Sequence, residues 1–325
     1  MTGQAIVISR HGGPEELRPQ RVEALPPGPG EVRLQHTAIG LNYIDVYVRT
    51  GFYPLLTPPG VPGMEAAGVV LDVGEGVVGI MPGDRVAYAC PPVGAYAQMR
   101  TMKADQLVAL PDDIDDQTAA AGMLKGMTAE YLLRRTHRVK RGETVLVHAA
   151  AGGTGMLLCQ WARHIGARVI GTVSSEDKAR AARESGCDFP IVTRHQGFVA
   201  AVQDITGGEG VDVVYDGLGG DMLLKSIEAL AMRGHLVSYG QAAGPVAPLD
   251  LSLLSRKSAT LSRPVLFHYT ADPTDLRDIS RNVFSMIRRG AVRIAVNQRY
   301  PLAEAARAHA DLEARRTTGS SVLLP

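Results

Sequence analysis

The stretch from Glu143 to Lys178, ETVLVHAAAGGTGMLLCQWARHIGARVIGTVSSEDK, constrains the fold more than any other part of the chain. Thr144 to His148 has the pattern of an apolar strand. A glycine-rich turn comes next, then a helical pattern, then a second apolar strand ending at Ser174-Ser175. Strand, turn, helix and strand in one run make half of a dinucleotide-binding fold. Gly152, Gly153 and Gly155 let the backbone approach a pyrophosphate, and the unpaired N–H groups opening the next helix face that anion. The turn is not a strict G-x-G-x-x-G, because Ala149 stands where the first glycine belongs. The competing reading is a tight strand-to-helix turn in some other α/β protein, and the flanking elements are what decide against it.

The residues just past the second strand select the nucleotide. NAD-selective sites place an acidic residue about 20 residues past the first glycines, where it bonds the ribose 2′-OH. Here that position carries Ser174 and Ser175, with Lys178 shortly after. A carboxylate would repel a 2′-phosphate, whereas hydroxyls and an ammonium hold one. The pattern predicts NADPH.

At 325 residues the chain is long enough for two domains, and 45% hydrophobic with 21% charged residues is ordinary for a globular protein. A net charge of +1 argues against an electrostatic nucleic-acid or membrane partner. The densest basic cluster, Arg134 to Arg141, falls where a helix pattern ends, and cations there complement the helix dipole. Cys90, Cys159 and Cys187 form no C-x-x-C pair and no disulfide framework, which fits a reducing cytoplasm. No apolar run reaches the roughly 18 residues of a membrane span. The N-terminus enters a strand pattern at once, without the features of a signal peptide.

Up to about residue 110, apolar-alternating runs at 4–9, 31–39, 66–73, 84–89 and 95–110 are separated by Gly/Pro turns. That spacing predicts a compact β unit with one short helix from Asn42 to Arg49. From Asp115 the period becomes helical towards Arg138, with a break expected near Gly126. Strands are then expected at 144–148, 168–173, 189–192, 211–215 and 235–239, and helices at 154–165, 176–185, 196–205 and 221–232. This alternation predicts an α/β, doubly wound parallel sheet with its ligand at the strands' carboxyl ends. After about 265 a helix (275–289), strands near 292–300 and 320–324, and a helix at 302–315 complete the chain. The last strand is expected to rejoin the first domain.

Several further motifs stand in a recognisable order. They are His11-Gly12-Gly13-Pro14-Glu15, the run Ala38 to Tyr47, Gly51-Phe52-Tyr53-Pro54, Pro62 to Gly68, Gly83-Asp84-Arg85-Val86 and Leu124 to Thr128. Val214-Tyr215-Asp216, Ser262-Arg263-Pro264 and Gly319-Ser320-Ser321 lie beyond the nucleotide turn. With these the chain resembles, over essentially its whole length, the zinc-independent NADPH:quinone oxidoreductases (zeta-crystallin-like) of the medium-chain dehydrogenase/reductase superfamily. The resemblance implies a GroES-like β domain (1–124 and 267–325) interrupted by a Rossmann domain (125–266), usually as a homodimer. It also implies no metal. Zinc-dependent relatives use an early Cys, a Gly-His-Glu motif and a four-cysteine lobe, whereas this chain has Asn42, Asp45 and Met64 and no cysteine cluster.

In the resembling enzymes the cofactor lies between the domains. By that likeness Asn42, Asp45, Val46 and Tyr131 line the nicotinamide side, and Gly153 and Thr154 meet the pyrophosphate with Gly152 and Gly155. Ser174, Ser175 and Lys178 hold the 2′-phosphate, with Thr193 nearby. Tyr239, Gly240, Gln241, Val265, Leu266 and Phe267 close the pocket, and Gly319 lies close to it. Two departures weaken the match. Val192-Thr193-Arg194 replaces the family's Asn-Tyr-Arg, and Gly217 replaces its serine after Tyr-Asp.

Hydride transfer to a quinone asks the protein mainly to hold ring against ring with water excluded. Asn42, Tyr47 and Tyr53 are the substrate-side candidates, since an amide and phenols donate hydrogen bonds to a carbonyl oxygen gaining charge. Tyr53 is the preferred proton donor, because related enoyl-thioester reductases place a tyrosine in the equivalent turn. Tyr47 has an equal reading as a core residue. His148 reads as packed, Asp216 as a turn former, His11 as a turn residue, and Lys125 is left unassigned. The leading function is NADPH-dependent quinone reduction. The alternatives are reduction of an activated C=C bond in an enone, alkenal or enoyl thioester, and an NADPH-binding RNA-binding or structural protein. The last has no basic face or stacking motif behind it.

Overall fold

The computed structural model describes all 325 residues. The first half of the chain forms β1 (Thr2–Val7), β2 (Arg18–Glu23), β3 (Glu31–Leu41), α1 (Tyr43–Thr50), β4 (Glu65–Val73), β5 (Arg85–Ala89), β6 (Met99–Lys103), β7 (Val108–Ala109) and α2 (Asp116–Tyr131). The alternating region comprises β8 (Thr144–Val147), α3 (Gly153–Ile165), β9 (Arg168–Val173), α4 (Glu176–Glu184), β10 (Phe189–Val192), α5 (Phe198–Thr206), β11 (Val211–Asp216) and α6 (Met222–Ala229). It continues through β12 (Leu230–Ser238), α7 (Ser252–Ser255), β13 (Thr260–Ser262) and α8 (Leu266–Tyr269). The chain ends with α9 (Pro273–Arg288), β14 (Val296–Pro301), α10 (Ala305–Glu313) and β15 (Ser320–Leu324).

These elements form two compact units, one of residues 1–127, 270–288 and 294–325, the other of residues 128–269 and 289–293. In the first, a seven-stranded sheet runs β14-β15-β3-β4-β5-β7, with β6 also paired to β3. The final strand lies antiparallel to β3, with Leu323 opposite Ile39, so the end of the chain completes the sheet that its beginning starts. Ile6, Leu34, Ile39, Tyr88, Tyr96 and Leu323 are among the core side chains there.

The second unit has six parallel strands in the order β10-β9-β8-β11-β12-β13. Counted from β8 that order is 3-2-1-4-5-6, the doubly wound arrangement whose ligand crevice opens where the winding reverses, between β8 and β11. Helices cover both faces, so β8, β9 and β11 are apolar runs without polar alternation. Leu146, Ile170, Val214 and Leu236 form the core with Phe198 of α5 and Ile227 of α6.

Three local expectations fail. The helix expected to break near Gly126 runs straight through it, because a Cβ there would lie 2.7 Å from Val283 Cγ1, so the glycine serves close packing by α9. The helix expected at 221–232 ends at Ala229, and Leu230 already belongs to β12. The strand β2 went unforeseen, its six residues all being exposed and fixed only by pairing with β1. No helix is long and apolar enough to cross a membrane.

Candidate active site

In the second unit the residues after β8 form the glycine turn. Ala149 adopts φ 51°, a left-handed conformation that a non-glycine residue holds only under constraint. Its carbonyl accepts from Gly152 N at 2.8 Å, and Ala150 N donates to Thr172 O at 3.0 Å, which closes the loop against β9. Gly152 is the N-cap of α3 and supplies no capping side chain. The first-turn N–H groups of a thirteen-residue helix are therefore left without a side-chain acceptor, which is the condition for anion binding.

The end of β9 and the start of α4 carry the second group. Ser174, Ser175 and Lys178 are all half-buried. Ser175 N-caps α4, its hydroxyl accepting from Lys178 N at 3.4 Å, so part of its hydrogen-bonding capacity is spent on the helix. Thr193 stands beside them because β10 pairs with β9. Its hydroxyl turns back to donate to Val173 O at 3.2 Å, leaving only acceptor capacity, which a phosphate cannot use.

The turns after β11 and β12 pack on each other. Asp216 Oδ1 accepts from Leu218 N (2.8 Å) and Gly219 N (3.1 Å), the turn-forming role read from the sequence. Tyr239 N donates to Asp216 O at 2.8 Å. The ring of Tyr239 fills the space where a side chain at position 217 would stand, since a Cβ there would lie 2.8 Å from its hydroxyl. Gly240 and Gln241 are half-buried in this turn. Tyr131 is buried and stacked on Tyr269 (4.5 Å between centroids, 19° between planes), and burial raises its pKa. Of the last segment, Val265 is exposed, Leu266 buried and Phe267 half-buried. His148 is a packed histidine: Thr172 Oγ1 lies 2.9 Å from Nδ1 and Ser226 Oγ 2.8 Å from Nε2.

The first unit holds the substrate-side candidates. Four aromatic rings cluster on α1 and the turn after it. Tyr47 meets Tyr43 (5.3 Å), Phe52 (5.5 Å) and Tyr53 (4.8 Å), while Phe52 and Tyr53 stack on each other at 5.3 Å and 17°. Tyr47 is buried at the hub, as its core reading requires, whereas Phe52 is 41% exposed and Tyr53 half-buried. Gly319, in the same unit, adopts φ 60° before β15.

Asn42 lies at the base of this cluster as the N-cap of α1, in a capping box with Asp45. Asp45 Oδ2 accepts from Asn42 N at 2.9 Å and from the Tyr96 hydroxyl at 3.1 Å. Burial raises the Asp45 pKa to about 7. Beyond Tyr96, His309 Nε2 lies 2.9 Å from the hydroxyl, and Arg49 donates to His309 Nδ1 (3.1 Å) and to Glu313 (2.8 and 2.9 Å). Val46 is buried.

Two residues that sequence reasoning did not assign complete the site. Glu65 is fully buried; Asn42 Nδ2 donates to its Oε2 at 2.7 Å and Leu124 N to its Oε1 at 2.5 Å. Lys125 Nζ donates to Leu41 O at 3.2 Å and stands 3.8 Å from Glu65 Oε2. Burial raises the Glu65 pKa and lowers that of Lys125, each opposed by the partner's charge. The signal for Glu65 was a lone carboxylate inside the apolar run Met64-Glu65-Ala66-Ala67. The structure contains no group of three or more His, Cys, Asp or Glu side chains able to hold a metal ion.

Known proteins share this organisation. Residues 28–143 match the model of the alcohol dehydrogenase GroES-like domain, and residues 153–282 that of the zinc-binding dehydrogenase family. A quinone oxidoreductase of Pseudomonas aeruginosa is 48% identical, over 98% of this chain and 99% of the relative. A 2-haloacrylate reductase of a Burkholderia species is 47% identical, over 99% of this chain and 98% of the relative. The crystal structure of Escherichia coli quinone oxidoreductase complexed with NADPH superposes with a TM-score of 0.95 at 43% identity, covering 99% of this chain and 100% of that one.

Proposed function

We propose that this chain, which belongs to the zinc-independent quinone oxidoreductase family of the medium-chain dehydrogenase/reductase superfamily, is an NADPH-dependent reductase that delivers a hydride to a quinone. The carrying observation is the stacked Phe52–Tyr53 pair, a partly exposed flat aromatic surface in the turn that follows α1. A planar acceptor stacks on such a surface. NADPH supplies the hydride when bound; the chain's own residues bind, orient and protonate.

The residues present fit that cofactor. The uncapped first turn of α3, with Gly152, Gly153, Thr154 and Gly155, suits the pyrophosphate, and Ser174 and Lys178 suit the 2′-phosphate. Lys178→Ala is expected to weaken NADPH binding about tenfold while leaving NADH within about twofold. Fluorescence titration of both nucleotides checks this, and equal wild-type affinities would sink the assignment.

On the substrate side the Tyr53 hydroxyl donates to the carbonyl oxygen. Hydride and one proton together convert the quinone to its hydroquinone. A second reading, reduction of an activated C=C bond, is favoured by the haloacrylate-reducing relative and by Tyr53 as acid. A panel of quinones, enones and 2-haloacrylates with NADPH separates the two. Tyr53→Phe is expected to lower enone turnover at least tenfold and quinone turnover by only a few-fold, since a quinone anion takes its proton from water more readily. Turnover of enones with none of any quinone would reverse the order.

A cytoplasmic homodimer is the accompanying proposal. Its supports are three free cysteines, the unpaired outer edge of β13, and exposed Met232, Leu251 and Val265 in the segment from β12 to α8.

A further inference from the structure

We propose that Glu65 and Lys125 are positioning residues for the hydride transfer, fixing the Asn42 amide so that one of its N–H groups is left for the acceptor. This rests on the reading of Asn42 as a substrate-side donor.

Asn42 is gripped from two directions. Asp45 takes its backbone N–H and Glu65 takes one of its two side-chain N–H groups. The Asp45 N–H goes to the Asn42 main-chain carbonyl at 3.0 Å, and the amide oxygen is buried without a hydrogen-bond partner. A carboxylate at 2.7 Å tells the two ends of an amide apart, because only the NH2 can donate to it. What remains is a single N–H in a fixed direction, the donor a developing oxyanion needs.

Glu65 is itself immobile. Leu124 N holds Oε1, and the space for Oε2 exists because residue 40 is glycine: a Cβ there would lie 2.4 Å from Oε2 and 2.1 Å from Ala120 O. Lys125 does two things at once. It neutralises Glu65, and through Leu41 O it holds the residue immediately before Asn42. A buried ion pair of this kind is a poor stabiliser, since apolar side chains of similar volume are often as good or better. Orientation is what the pair supplies here.

Without Lys125, Glu65 faces only Asn42, the Leu124 and Met123 amides and the like charge of Asp45. Its carboxyl, raised by burial and no longer held down by the ammonium, then keeps a proton to higher pH than in the wild type, becomes a donor, and lets the Asn42 amide turn over. The test is the side-chain amide signal of Asn42 in a 1H–15N spectrum, identified by its loss in Asn42→Ala, with kcat/KM measured over pH 5.5–8.5. In the wild type one amide proton is expected well downfield, moved over this range only by the titration of neighbouring Asp45. In Lys125→Met that proton moves with a further titration absent from the wild type, and kcat/KM falls about tenfold on its acid side. The double variant Glu65→Gln/Lys125→Met loses that further titration and keeps only the one from Asp45. A purely structural pair would lower the melting temperature yet leave both pH profiles as in the wild type, and that result in a folded Lys125→Met overturns the proposal.

Should Lys125→Met not fold, the near-isosteric Glu65→Gln decides. It is expected to lose the downfield proton and about tenfold in kcat/KM, and retention of both rejects the idea. The spectrum needs no turnover, so an absence of NADPH-dependent reduction with any acceptor would refute the proposed function while the amide signal still judges the positioning pair.

Discussion

Replacing Gly155 with valine is expected to abolish measurable NADPH binding, a loss of about 100-fold or more. A Cβ at this position would lie 2.3 Å from Ala149 O and 2.9 Å from Ala150 Cα. Both obstacles are backbone, so no rotamer change relieves the clash. The loop has nowhere to retreat, because Ala149 O holds Gly152 N, Ala150 N is tied to Thr172 O, and Ala149 already sits at φ 51°. Relief must come from moving the first turn of α3 away from β8, which takes the helix N–H groups out of reach of a pyrophosphate. About 3 kcal/mol of lost contact corresponds to the stated factor. Gly152→Ala is the graded control: its Cβ would meet only Ala149 O, at 3.2 Å, and a loss of a few-fold is expected. Isothermal titration with NADPH, beside a melting curve, measures both. Gly155→Val binding within threefold of wild type would show that the turn does not hold the nucleotide.

That turn was legible in the sequence for a physical reason. Strands β8, β9 and β11 are buried on both faces, so each is a short apolar run bounded by turn residues, and the period switches cleanly between strand and helix. The order 3-2-1-4-5-6 stems from that alternation and the right-handed crossover rule. Elements defined by pairing alone were not legible. The exposed residues of β2, Arg-Pro-Gln-Arg-Val-Glu, carry no apolar pattern, and β13 is three residues on an edge. In the proposed site, Asn42 and Tyr53 were singled out by the family likeness and by the donor chemistry of an amide and a phenol. Glu65 and Lys125 were not, since their meaning lies in a pairing across about 60 residues of sequence. Thr193 shows the same limit: its identity suggested a phosphate contact, but its hydroxyl proton goes to the neighbouring strand.

Acidification from pH 7 to pH 4 is expected to destabilise the protein markedly, with the steepest loss of stability between about pH 6 and pH 4.5. Three fully buried histidines, His36, His148 and His309, sit in hydrogen-bond networks that require the neutral ring. His36 Nδ1 lies 2.6 Å from Ala97 O, which fixes the proton there and leaves Nε2 to accept from the Tyr88 hydroxyl at 2.9 Å. In His309 it is Nδ1 that must stay unprotonated, because it accepts from the guanidinium of Arg49. Burial lowers the His36 pKa to about 4 and the His309 pKa to about 3, and lowers that of His148. For a base whose folded pKa lies below its unfolded value of about 6.5, the unfolded chain binds the proton first. Stability is then complete above pH 6.5 and lost as the pH falls towards the folded pKa. Buried carboxyls act in the opposite sense. Asp45, raised to about 7, and Glu65, also raised, add stability as the pH falls from neutrality towards 4. Between pH 7 and pH 4 the His36 and His309 shifts each cost roughly 3 kcal/mol, and the Asp45 shift returns about as much as one of them. His148 and Glu65 act in opposing senses, so the loss exceeds the gain by about one such contribution. Half-buried His235, whose pKa is lowered to about 4, adds a smaller, solvent-screened share in the same direction. A net loss of about 3 kcal/mol or more is a large part of a typical folding free energy of about 5–15 kcal/mol. Urea unfolding at half-unit steps from pH 8 to pH 4 measures it, with the midpoint concentration dropping below pH 6 at a nearly constant slope. His309→Gln, which keeps an acceptor for Arg49 but cannot take up a proton, is expected to remove most of that drop. A wild-type midpoint unchanged between pH 7 and pH 4.5 would mean that the buried imidazoles do not govern stability in acid.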